Sequence, residues 1–389
     1  MAEGQKPYRV YKGGRAKGKV PLIRREEADR RRGNGRRPTA PETERRRRRI
    51  RWGRIVAIVI PSLVLLLVLW TVLGYLAVRR GVGDANERLP ASVTQALAAQ
   101  DGLLLSQPTQ ILVLGTDGDR TARRAGFRRS DTMMLVRTDP DRKRVAYLSI
   151  PRDLRVTVPG QGERRINSAF QIGGPALALR TVEQLTGLDV NHIAIVDFDD
   201  FKGVIDALGG ISVDVPRKIV SNNFDCPFDA ARCETWEGWR FGKGKQEMDG
   251  RRALIYSRIR QNRLDPADND LTRNSRQQQV LDGIANKVTS IGTFLRLPFV
   301  GDDLVAPLTT DLSAGQLLQL GWVRFRADGS RALHCRLGGE PTSIGGESVI
   351  VGGEDNVAAL SMFAGRSAPQ PPPPGSGTYG AGCAVGRSL

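Results

Sequence analysis

The sequence predicts a layered α-β-α domain with a mixed central sheet, preceded by one transmembrane helix. Three observations predict it. Ile55 to Val78 runs for 24 residues without a charge. Between about residue 110 and residue 290, apolar strand-like runs alternate with segments of helical spacing. The net charge of +18 is concentrated in one place: residues 1–54 hold 20 Lys/Arg and 6 Asp/Glu, a net of +14, which leaves +4 for the rest of the chain.

The uncharged run is about 36 Å long as a helix, enough to cross a bilayer core with some tilt. Arg54 closes it at one end and Arg79–Arg80 at the other. Pro61 falls near its first turns, where a membrane helix tolerates proline. A buried core helix is the competing reading, but uncharged runs this long are uncommon in soluble domains. The run is too long, and begins too far along the chain, for a cleavable signal peptide. Arg45–Arg49, Arg51 and Arg54 lie directly before it, so the positive-inside rule places the N-terminus in the cytoplasm and residues 80–389 outside. The basic tail, rich in Gly and poor in apolar residues, is expected to be disordered and to rest on anionic headgroups. No folded nucleic-acid-reading module accompanies it, so no specific nucleic-acid partner is expected.

Cys226 and Cys233 bracket a polar loop, and outside the cytoplasm such a pair is expected to close a disulfide. Cys335 and Cys383 remain for a second.

In chain order, a short helix is expected at 91–99 and strands at 111–117, 131–139 and 144–151. The last two strands are joined by the turn Thr138-Asp-Pro-Asp-Arg. A helix over 176–187 ends at Gly187, a strand follows at 192–198, a glycine-ended helix at 200–210, and an alternating strand at 211–215. Beyond the cysteine loop, a helix starts in 249–260 and a single longer one covers 275–295. Elements continue near 313–323, 331–337 and 347–351, and from Pro369 the chain reads as a low-complexity tail. Strands alternating with helices argue for helices on both faces of one sheet.

Several chemistries lack their parts. There are only two histidines, His192 and His334, and no G-x-S-x-G, H-E-x-x-H, P-loop or G-x-G-x-x-G. Acids and arginines at strand ends recur instead. Asp117 ends the first strand and Asp131 begins the second. If these strands are neighbours, the two carboxylates suit Mg²⁺ with substrate phosphates completing its shell; two ordinary loop acids are the alternative. Arg152, Arg165, Arg258, Arg260, Arg273 and Arg276 offer planar donor forks matched to phosphate oxygens; scattered surface arginines are the alternative.

The order of motifs is more specific than any one of them. ILVLGTD, RRSDTMMLV, SIPRDLRV, RRINSAF, TVEQLTGLDV, HIAIVDFDDFKGVIDALGGISVDV, GRRALIYSRIR and DNDLTRNSRQQQV follow one another over 110–290. In this order they resemble the LytR–CpsA–Psr family, and the resemblance continues to about 365. It implies an extracytoplasmic phosphotransferase that moves a glycopolymer from a polyprenyl-pyrophosphate carrier to peptidoglycan, forming a phosphodiester. It implies Mg²⁺ on Asp117 and Asp131. Arg152, Arg165, Arg258, Arg260 and Arg273 would hold the pyrophosphate, Arg152 as a catalytic residue, with Gln277 matching the glutamine of the family's R-x-x-R-Q run and Arg276 its neighbour. Asp117 or Asp119 would take the proton of the attacking hydroxyl. Two departures stand out: LGTDGDR inserts Asp119 where the family reads L-G-x-D-x-R, and Arg165 replaces a usual lysine.

The expected organisation is a basic cytoplasmic tail (1–54), a transmembrane signal-anchor (55–78), a juxtamembrane stalk (79–109), the catalytic domain (110–366) and a Pro/Gly-rich tail (367–389). The expected location is the cytoplasmic membrane, single-pass. Two rival activities remain at this stage: a pyrophosphatase on the same lipid with water as acceptor, and a membrane-tethered regulator without turnover.

Overall fold

The computed structural model describes residues 8–9, 20–21, 52–116, 130–266, 268, 270–376 and 379–386. Asp117 and Asp119 lie outside the described residues, as does nearly all of the basic tail. Tyr8–Arg9 and Val20–Pro21 pair as two short antiparallel strands.

Helix α1 (Trp52–Glu87) extends the uncharged run at both ends. Among the described residues it is the one helix long and apolar enough to cross a membrane. α2 (Ala91–Thr94) is a single turn rather than the expected nine residues. Three strands follow, β1 (Thr109–Thr116), β2 (Ser130–Asp139) and β3 (Arg144–Ile150). β4 (Leu154–Val158) and β5 (Gly162–Arg165) form a hairpin, and α3 (Asn167–Thr186) begins two residues later. α3 bends at Gly173–Gly174 and ends on Gly187, whose φ of 63° is the left-handed cap that the sequence predicts. Then come β6 (His192–Asp197), α4 (Phe198–Ala207) and β7 (Ile211–Val215).

The cysteine loop holds β8 (Ile219–Val220), α5 (Ala230–Glu234), β9 (Arg240–Phe241) and β10 (Gly244–Met248). α6 (Gly250–Arg258), α7 (Asp270–Val288) and α8 (Ile291–Val305) follow. The single helix expected over 275–295 is therefore two. Ser290 breaks it, its hydroxyl accepting from the Thr293 amide as an N-cap that starts α8. The chain closes with β11 (Thr309–Thr310), α9 (Ala314–Arg326), β12 (Leu333–Arg336), β13 (Glu340–Ile344), β14 (Glu347–Val351), α10 (Asp355–Phe363) and β15 (Gly382–Val385).

The central sheet has seven strands in the order β11-β6-β1-β2-β3-β12-β15. β1 runs parallel to β6 and β3 to β12, whereas β1–β2 and β2–β3 are antiparallel, so the sheet is mixed. Side chains alternate across it. Leu112, Leu114, Leu135 and Leu148 pack on one face with α3 and α10. Met134, Val145 and Tyr147 pack on the other, against Leu281 of α7. A second core joins α4, α6, α7 and α8 to the end of α1 through Val78, Val82 and Ala85.

Two expectations need correction. β7 does not join the central sheet; it pairs with β10 in a separate ribbon. The segment after 367 is not merely a tail, because β15 becomes the edge strand of the central sheet. Cys335 and Cys383 stand directly opposite one another on β12 and β15 and are disulfide-bonded. The Pro-rich composition hides this short strand, and the cross-link ties it to the sheet. Cys226 and Cys233 form the other disulfide.

Candidate functional site

The site is built where β1 and β2 end. Thr116 pairs with Ser130 on one side and with Asp197 on the other. Asp131 therefore starts beside the strand end that leads into Asp117, and Asp197 closes the neighbouring strand. Asp197 caps α4, accepting from the Asp200 amide at 2.8 Å.

A polar mouth of about 260 Å³ opens here, walled by Asp131, Thr132, Phe198, Asn222, Phe224, Ser257, Arg258, Arg260, Arg273 and Gln277. α6 delivers Arg258 from its last turn, and Arg260 follows after the helix ends. Arg273 and Gln277 lie one turn apart on α7, so both reach the same cavity. The Arg258 guanidinium lies 4.7 Å from the Phe198 ring centre and 5.7 Å from that of Phe224, and it pairs with Asp225. Two aromatic faces and a carboxylate hold it in place while its charge stays at the mouth.

Arg152 donates to Asp131 at 2.7 Å and to Asp153 at 3.3 Å. Arg165 reaches Asp153 at 3.5 Å and Glu347 at 3.4 Å. An ion-pair chain thus runs Asp131–Arg152–Asp153–Arg165 from the mouth to the small sheet of β13, β14, β4 and β5. Arg165 stands at its far end and is not a wall of the mouth. Arg276 is not one either. Its guanidinium is buried, donates to the Ile259 carbonyl at 2.7 Å and pairs with Asp268, which also holds Arg217 at 3.1 Å.

Behind the mouth lies an apolar cavity of about 240 Å³, lined by Val113, Gly115, Ala194, Val196, Phe201, Val204, Leu254, Val280, Leu281, Ile284 and Leu308. Thr132, Phe198, Ser257 and Gln277 wall both spaces. Gly115 keeps this junction open, since a Cβ there would lie 2.9 Å from that of Thr132. Phe198, Phe224, Asn222 and Ser257 were not singled out from the sequence. The aromatic that ends HIAIVDF was the one readable signal, since a ring beside an arginine-rich segment can stack on guanidinium.

A larger cavity, about 790 Å³, lies elsewhere, along the side of α7 that carries Gln279, Asp282 and Asn286. The smaller mouth is where three arginines, an acid and two amides converge on an apolar space.

Among the described residues no group of three or more His, Cys, Asp or Glu forms a metal cage. Asp131 offers one carboxylate at the mouth. Mg²⁺ commonly takes one or two carboxylates and fills its remaining positions with water and phosphate oxygens, so this donor set fits a cation shared with a phosphorylated substrate.

Comparison with known proteins adds a family. The model of the LytR_cpsA_psr family matches residues 84–360. Enterococcus faecalis polyisoprenyl-teichoic acid–peptidoglycan teichoic acid transferase TagU is 31% identical, over 60% of this chain and 71% of its own. Bacillus subtilis TagV, of the same transferase description, is 32% identical over 55% of this chain, and the match spans only 52% of TagV. The solved structure of TagT bound to LIIa-WTA superposes with a TM-score of 0.54 at 25% identity, covering 69% of this chain and 95% of that one.

Proposed function

The chain belongs to the LytR–CpsA–Psr family, and from that premise we propose that it is a membrane-tethered ligase moving a glycan phosphate from a polyprenyl-pyrophosphate carrier to peptidoglycan. One observation carries the reading: an arginine-rich mouth opens directly into an apolar cavity through shared walls. An amphiphile with a diphosphate head and a hydrocarbon tail matches that pair of spaces. The described relatives TagU and TagV, named as polyisoprenyl-teichoic acid transferases, support the carrier class.

Arg258, Arg260 and Arg273 bind and orient the diphosphate and stabilise the charge that develops on it. Arg152 positions Asp131. Asp131, with Asp117, would hold Mg²⁺, which when bound would add to that charge neutralisation. The acceptor hydroxyl forms a bond to the phosphorus nearer the glycan. The bridging P–O bond breaks, and polyprenyl phosphate leaves with the bridging oxygen. The hydroxyl proton passes to a carboxylate, Asp117 or Asp119. The basic tail sets the N-terminus in the cytoplasm. With all four cysteines in disulfides, the domain belongs on the oxidising side.

The test uses the full chain in proteoliposomes with a polyprenyl-pyrophosphate glycan and a peptidoglycan acceptor. Linked product and polyprenyl phosphate are expected, and chelating Mg²⁺ should stop both. Arg258→Ala should lower kcat/KM about a hundredfold. Release of phosphorylated glycan with no linked product would replace the ligase by a pyrophosphatase.

A further inference from the structure

Helix α8 carries an apolar stripe that the domain leaves uncovered. Ile291, Leu295 and Phe299, spaced four apart, are 76%, 57% and 70% exposed. Such a stripe in water is unfavourable, and contiguous exposed apolar surface marks a site of contact.

What covers it can be read from its neighbour. α8 runs alongside α1, and the contacts climb both helices together. Trp70 donates to the Phe294 carbonyl at 3.3 Å and sets its ring edge-on to Phe299. One turn further, a Cβ on Gly74 would lie 3.1 Å from Leu297. Gly301 sits equally close to Ala77, and Gly81 faces the Asp302 carbonyl. Glycines at these crossings let the two backbones approach closely. Depth along α1 therefore fixes depth along α8.

Trp70 to Val78 is the last third of the uncharged run, about 12 Å of helix. Ile55 to Trp70 spans only about 22 Å, short of a hydrocarbon core of about 30 Å. The missing depth is the stretch that α8 flanks. Charge then returns at one level on both helices, at Arg79–Arg80 on α1 and Asp302–Asp303 on α8. The single charge between Ile291 and Gly301 is Arg296, and it turns inward toward the carbonyls of Ala207 and Leu208.

We infer that the first half of α8 is a second membrane-inserted element, its Ile291–Leu295–Phe299 stripe buried among the acyl chains of the leaflet on the domain's side. The inference rests on α1 spanning the bilayer. It has a consequence for the proposed substrate. α8 joins α7, whose Ile284 lines the apolar cavity, to Leu308, another of its walls. The inserted helix and the cavity thus share a flank, and a lipid tail can pass from leaflet to cavity beside α8.

The experiment places the full chain in nanodiscs of phosphatidylcholine and phosphatidylglycerol. An environment-sensitive fluorophore is attached to Ile291→Cys, Leu295→Cys or Phe299→Cys. Leu66→Cys reports the span, and Val357→Cys, 69% exposed on α10, reports water. Expected is quenching by acyl-chain spin labels at the three α8 positions several-fold above that at Val357→Cys, with protection from aqueous iodide. Iodide quenching at α8 equal to that at Val357→Cys, while Leu66→Cys responds to the lipid quencher, would overturn the insertion alone. Protection of α8 from both quenchers that depends on protein density would assign the stripe to a second copy and overturn it too. No lipid quenching at Leu66→Cys would remove the span and the inference together.

Discussion

Arg273, Gln277, Val280 and Ile284 follow one another along one side of α7, and Arg276, Gln279, Asp282 and Asn286 along the next. The first side faces the mouth and the apolar cavity. The second faces packed protein and a broad polar cleft. Both sides begin with an arginine, yet their surroundings differ. Arg276 spends its donors on the Ile259 carbonyl and on Asp268. Arg273 borders open volume beside Arg258 and Arg260. Both arginines are buried, so what separates them is position: Arg276 is held in packed protein, and Arg273 lines the mouth. Residue type alone does not separate the two roles.

The contrast can be broken most sharply at Arg276. Among the described residues, Arg276→Ala leaves the buried Asp268 carboxylate with only the half-exposed Arg217 as an ion-pair partner. Stability should fall by about 3–5 kcal/mol, read from a chemical denaturation midpoint. Transfer lost at unchanged stability would return Arg276 to the ligand side. A smaller effect is expected in the cavity. Ala194→Phe fills space along its wall and should raise KM for a long-chain carrier about tenfold, or about 1.4 kcal/mol, while sparing a short-prenyl analogue. Equal losses with both chain lengths would detach the cavity from the lipid.

The smallest effect lies behind the helix. His334 stacks on Tyr147, meets Gln278 at 3.1 Å and faces Asp282 at 3.4 Å. Burial lowers its pKa below the ordinary 6.5, and Asp282 opposes this only in part. The unfolded chain therefore binds more protons below pH 6.5. This contribution to stability is complete above that value and declines as pH falls toward the lower folded pKa, by at most about 1.4 kcal/mol per pH unit. His334→Gln should flatten that part of the stability–pH curve, and an unchanged slope would assign it to other groups.

Much of the fold was legible because it rests on local patterns. The Gly187 cap, the β1–β2–β3 succession and the apolar span follow from residue type and spacing. The break between α7 and α8 was not legible. Val288 and Ile291 continue the apolar spacing through it, and Ser290 can sit inside a helix or cap one. β15 was hidden by its Pro-rich approach, although Cys383 within it is left to pair with Cys335 once Cys226 and Cys233 are joined. At the site, Arg258, Arg260, Arg273 and Gln277 come together with Asp131, whereas Arg165 and Arg276 do not.

The sequence by itself determined the periodicities, the location of the charge, and an order of motifs specific enough to name a family. Tertiary structure alone decided which arginines line the mouth. Arg273 and Arg276 are three residues apart and so lie on adjoining sides of one helix, about 60° from each other. Local rules treat them alike. The choice came from long-range packing, which set α6, Phe198 and Phe224 against one side of α7 and the buried Asp268 against the other.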